Sequence, residues 1–174
     1  MPDMQTRRIV SLAFLTALSV VLHYVESFIP YPIPGFRIGL ANIIGLFTLF
    51  YYGGPSYVFV TLARVLLGGL FSGFGVSFLM SLAGSALAMG ISLLCYYVFR
   101  NSVWGTSLPA SALHTIGQLL VYALFFDTPY IFTYLALLGP LSLLTGALSA
   151  LLSTLLIARL PDRFRSEEKA RRAR

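Results

Sequence analysis

The residues of this chain able to do chemistry are few, and most stand inside apolar stretches. They are His23 and Glu26, Asn42, Arg64, and His114 with Gln118 one turn later, with Arg37 in a loop between the first two groups. An ionisable group surrounded by hydrocarbon costs several kcal/mol unless it is paired or wetted, so each marks a binding or transport site. Guanidinium and imidazole groups suit an acidic ligand through charge-assisted hydrogen bonds. Tyrosine and phenylalanine faces suit a ring. The plainer role is structural, with Glu26 paired to Arg64 or Arg37 and tying helices together.

Other chemistries lack their residues. There is no GxxxxGK[ST] phosphate loop, and Lys169 is the sole lysine, so the chain cannot hydrolyse ATP by that route. The aspartates Asp3, Asp127 and Asp162 form no cluster to hold Mg²⁺ for prenyl-diphosphate chemistry. Neither HExxH nor CxxC occurs. No catalytic residue, metal site or cofactor is expected, and the protein reads as a binder of a small molecule rather than an enzyme.

The elements that must position these residues follow from composition. Of 174 residues, 57% are hydrophobic and 10% charged, and the mean hydropathy is +0.84. A water-soluble domain carries about 25% charged residues because its surface has to be solvated. This surface must face lipid. Apolar stretches of roughly 20 residues recur, the length a helix needs to cross about 30 Å of hydrocarbon. The alternating polarity of a transmembrane β-strand is absent. An all-α bundle with about six spans is predicted, at 8–29, 38–52, 55–71, 76–99, 107–126 and 130–158. The second and third are short, divided by Gly53, Gly54 and Pro55, and read as tilted, partial or a tight hairpin. Residues 1–160 form one transmembrane domain and 161–174 a charged tail.

The formal charge is +6, but the basic residues collect at the ends, with Arg7 and Arg8 before the first span and seven Lys or Arg from Arg159 onward. That distribution places both termini in the cytoplasm and points to no nucleic-acid partner. Arg37, in the first outer loop, is the basic exception. The tail is a topology anchor whose basic residues also attract anionic lipid headgroups. Cys95, alone in an apolar run, is a small core residue.

Within the first span, Ala13 and Ala17 form a small-xxx-small pair that lets another helix approach closely. His23 and Glu26, three apart, share a face roughly 130° around from that pair at about 100° per residue. One helix thus carries a smooth face and an ionisable face. Pro30, Pro32, Pro34 and Gly35 make the next loop stiff and extended, a lid or a connector. Gly68, Gly69, Gly73 and Gly75, and the stripe Ser77, Ser81, Gly84, Ser85 and Ala88, favour tight helix packing, although hydroxyls lining a cavity would look the same. Tyr51, Tyr52, Tyr96, Tyr97 and Trp104 fall where interfacial aromatic belts are expected.

The stretches LHYVESFIPYPIPGFRIGLANI (22–43), LARVLLGGLFSG (62–73), FLMSLAGSALA (78–88) and ALHTIGQLLVYALF (112–125) resemble the Gx transporter family, often labelled heptaprenyl diphosphate synthase component I. That family is related to the S components of energy-coupling factor (ECF) transporters, and the resemblance covers about residues 5–155. It implies a bundle of about six helices that binds a micronutrient in its outer half, beneath the first outer loop. Ala13 and Ala17 match the AxxxA motif that docks on a membrane-embedded T component coupled to two ATPases. The implied cycle is a toppling of the loaded protein in the bilayer. Under this resemblance His23, Glu26, Arg37, Asn42, Arg64, His114 and Gln118 hold the substrate, a micronutrient or an isoprenoid or quinone precursor. Two other readings remain open: a non-catalytic membrane subunit or scaffold of isoprenoid or quinone metabolism, and a stand-alone carrier.

Overall fold

The computed structural model describes residues 4–29, 37 and 39–159. The described residues form α1 (Met4–Glu26), α2 (Asn42–Tyr52), α3 (Gly54–Ser72), α4 (Val76–Tyr97), α5 (Val103–Phe126), a 3₁₀ turn (Pro129–Tyr134) and α6 (Leu135–Arg159). The proline-rich stretch expected to be a lid or a connector, and the tail from 160 on, lie outside the described residues.

Five helical segments are long and apolar enough to cross a membrane. Large apolar side chains cover the outside, with Phe14 67% and Leu124 80% exposed. In water such a surface would aggregate; in a bilayer it is the lipid-facing skin. The protein is therefore a multi-pass helical membrane protein. The second expected span is shorter than the sequence suggested. At 11 residues, α2 is about 16 Å long, roughly half the hydrocarbon thickness. Residues 39–41 approach it as non-helical chain rather than helix. The sixth span likewise opens as a 3₁₀ turn before α6 begins.

The short helix is central rather than peripheral. It packs against α3 and α6, and also touches α1 and α5, while α4 and α5 make the most extensive pair. Ile43 through Leu49 are all buried, as expected for a helix apolar on every side. Gly53 turns the chain from α2 into α3 at φ 91°, a left-handed value that glycine adopts without steric cost. Phe47 stacks on Tyr51 at 5.3 Å between ring centroids, inside a core shared with Leu15, Val60 and Ile157. Tyr51 and Tyr96 are thus core residues and not belt residues, whereas Tyr97 and Trp104 are 50% and 43% exposed.

Glycines set the closest helix contacts. A Cβ on Gly117 would lie 2.8 Å from the Gly84 Cα, so α4 and α5 touch backbone to backbone there. A Cβ on Gly68 would lie 2.6 Å from His23 Cδ2, which brings α3 against α1 at the ionisable face. Inside α5, Pro109 removes the amide that would bond the Gly105 carbonyl. Asn101 Nδ2 donates to that carbonyl at 3.4 Å.

Candidate functional site: a buried polar layer

The two faces of α1 turn opposite ways. His23 is 6% and Glu26 0% exposed, while Ala13 and Ala17 lie on the exposed side. Inward, Glu26 Oε1 accepts hydrogen bonds from the backbone amides of Gly39 and Leu40, the latter at 3.3 Å. A carboxylate there satisfies amides that no helix satisfies, since they precede the first turn of α2. Gly39 needs its residue type twice over. Its φ is +93°, and a Cβ would stand 2.6 Å from Asn42 Nδ2 and 3.3 Å from His114 Cδ2.

Arg37 belongs to the same layer. The sequence placed it in an outer loop, yet it is only 5% exposed. Gln118 clasps its backbone from both sides. The Arg37 amide donates to Gln118 Oε1 and Gln118 Nε2 donates to the Arg37 carbonyl, each at 2.8 Å. Gln118 lies eight residues before the end of α5, so the clasp sits about 12 Å along the helix from that end. The Arg37 guanidinium then reaches His23 Nε2 and donates to Ser81 Oγ at 2.8 Å.

Arg64, from the middle of α3, is 3% exposed. It donates to Asn42 Oδ1 and to Ser85 Oγ, both at 3.0 Å. His114, one turn before Gln118, packs beside Gly39 and Gly84. All seven residues singled out from the sequence therefore meet in one layer contributed by α1, Arg37, the first residue of α2, α3 and α5. Glu26 is tied to backbone amides, where the simplest expectation was an arginine. Ser81 and Ser85 join the layer as well. The sequence showed them as part of a small-residue stripe, with nothing to separate packing from hydrogen bonding. Their signal was the four-residue spacing, which stacks both on one face of α4.

Three buried atoms of the layer have no hydrogen-bond partner among the described residues: Glu26 Oε2, Arg64 Nε and His114 Nδ1. Beneath Asn42 lies a small cavity of about 20 Å³, room for about one water molecule, running between α2, α3, α4, α5 and α6. The described residues contain no cluster of His, Cys, Asp or Glu that could hold a metal ion.

A lipid-embedded helical bundle with its polar groups gathered into one interior layer defines the class: a multi-pass membrane protein with an internal polar site. Within that class the chain belongs to the family described as heptaprenyl diphosphate synthase component I, which it matches over residues 15–156. No curated protein matches it in sequence. Among solved structures it is similar to the S component of a bacterial ECF transporter, with a TM-score of 0.65 and 21% identity over 90% of this chain and 96% of that one. At that identity the likeness concerns the fold.

Proposed function

We propose that this protein is the substrate-binding membrane subunit of an ECF-type importer, with the polar layer as the place where a small molecule is held. The observation that carries this reading is the layer itself: two arginines, a carboxylate and two histidines buried in a lipid-facing bundle, with Glu26 Oε2 and Arg64 Nε unpartnered among the described residues. A purely structural tie would satisfy those atoms internally, because each one left bare in hydrocarbon costs free energy. A ligand supplies what is missing. His23, Glu26, Arg37, Asn42, Arg64, His114 and Gln118 then form its first contacts. The likeness in fold to an S component supports the same reading.

An importer subunit of this kind needs partners. The sequence carries no GxxxxGK[ST] phosphate loop, and in this proposal the driving force comes from a T component and ATPase subunits. The outward Ala13/Ala17 face of α1 is the docking surface in this proposal, because small side chains let a partner helix approach closely. Both termini lie in the cytoplasm of a cell-membrane protein, by the positive-inside distribution. The synthase name of the family finds no counterpart in the residues, which include no acidic cluster for prenyl diphosphate and Mg²⁺.

Co-expression with a T component and its ATPases tests the proposal. In Ala13→Leu/Ala17→Leu the fold should persist, since both positions face outward, whereas co-purification with the T component should be lost. Full retention of the complex in a folded double variant would exclude this docking mode. Solute uptake that continues without any ATPase would point to a stand-alone carrier instead.

A further inference from the structure

Asn42 joins Arg64 to the small cavity below it. A guanidinium carries only donors, so the oxygen of the Asn42 carboxamide must face Arg64, as the 3.0 Å bond to Oδ1 shows. Nδ2 then points away from the arginine, beside Gly39, where a Cβ would stand 2.6 Å from it. Gly39 and Asn42 both line the cavity of about 20 Å³. No described residue accepts a hydrogen bond from Nδ2.

On the α6 side of the cavity stands Ser149. It is 4% exposed, and its Oγ has no hydrogen-bond partner among the described residues. A helical serine or threonine often returns its hydroxyl to the carbonyl one turn earlier, as Thr154 does to Ala150 at 2.7 Å. Ser149 does not. One turn further along, Ser153 donates to the Ile43 carbonyl at 3.1 Å, which sets this face of α6 against the start of α2. The other hydroxyls of the wall are already engaged as donors. Ser107 gives its proton to the Gly146 carbonyl, Ser111 to Leu108 and Thr145 to Ser142. Each of those oxygens keeps lone pairs able to accept. A cavity walled by hydrocarbon stays dry, but a polar one larger than about 10–15 Å³ holds a water that makes about three hydrogen bonds. The space under Asn42 meets both conditions, and an amide donor facing it suits a water oxygen and opposes a cation.

We propose that one internal water is bound in this cavity, accepting from Asn42 Nδ2 and pairing with Ser149 Oγ, and that it positions the Asn42 carboxamide against Arg64. Through it α6, which supplies none of the seven layer residues, reaches the arginine. The first test is a wild-type structure at a resolution that shows ordered water. The expected result is one density peak within hydrogen-bond distance of both Asn42 Nδ2 and Ser149 Oγ. An empty cavity in a map with ordered water elsewhere in the bundle overturns the inference. The positioning role is read by NMR in detergent micelles, from hydrogen exchange at the side-chain amides of wild type and Ser149→Ala. Exchange at Asn42 Nδ2 should rise at least threefold in the variant, while Gln118 Nε2, held by the Arg37 carbonyl, exchanges as in wild type. Equal acceleration at both amides would mean general loosening, and no change at Asn42 would mean that the water holds nothing in place; either result overturns the positioning role. Should Ser149→Ala fail to fold, the wild-type density and the protection of the wild-type Asn42 amide decide.

Discussion

The clasp between Gln118 and the backbone of Arg37 provides the sharpest test of how the polar layer is held. Gln118→Met keeps nearly the same volume and removes both hydrogen bonds, so packing against Gly84 is preserved. Gln118 is 0% exposed, and each of its two bonds is 2.8 Å long. A buried backbone group left without its partner costs about 1–3 kcal/mol, so the pair is worth about 2–6 kcal/mol to the 37–41 segment. Each 1.4 kcal/mol is tenfold in an equilibrium constant, so even the lower figure raises segment opening about 30-fold. Amide hydrogen exchange in detergent micelles, read on peptides covering residues 37–41, measures that opening directly. Helices distant from the clasp should exchange as in wild type. A change of less than threefold at 37–41 in a folded Gln118→Met protein would refute the reasoning, and the segment would then be held by Glu26 and the arginine contacts alone.

Other perturbations follow from the same packing. Gly117→Ala should destabilise the bundle by about 1–3 kcal/mol in detergent unfolding, because its Cβ would meet the backbone of Gly84 at 2.8 Å and the helices must separate. Gly90→Ala is the matched control: a Cβ there meets nothing within 4 Å, and stability should hold or rise slightly. Glu26→Ala should cost more than Glu26→Gln, since the amide oxygen of glutamine can still accept from Gly39 and Leu40; equal losses would show that charge rather than backbone capture dominates. At the opposite end of the bundle Arg8 Nη2 donates to the Tyr52 carbonyl and to Ser56 Oγ at 3.1 and 3.0 Å. Being partly solvated, this clip is worth about 1 kcal/mol, and Arg8→Ala should lower stability by that much with no effect on ligand content.

Much of the bundle was legible because a bilayer constrains sequence strongly. Backbone polar groups cannot be left bare in hydrocarbon, so long apolar runs must be helices, and buried ionisable groups must turn inward. That logic placed His23 and Glu26 on the inner face of α1 and Ala13 and Ala17 on the outer one. It overestimated α2, whose N-terminal part is non-helical chain held by side chains from elsewhere, a role that apolar periodicity does not encode. It also misassigned Tyr51 and Tyr96, because a tyrosine near a helix end satisfies belt and core patterns equally well.

The sequence by itself thus determined the solvent this protein lives in, its helices, the two faces of α1 and the short list of residues expensive enough to matter. Only the tertiary structure decided how those residues meet. Gln118 and Arg37 are 81 positions apart, Ser81 and Ser85 become arginine partners, and Glu26 serves backbone amides. Each of these depends on the rotation and depth of one helix against another. Those are set by glycine contacts such as Gly84 on Gly117 and Gly68 on His23, and no single helix carries that information in its own periodicity.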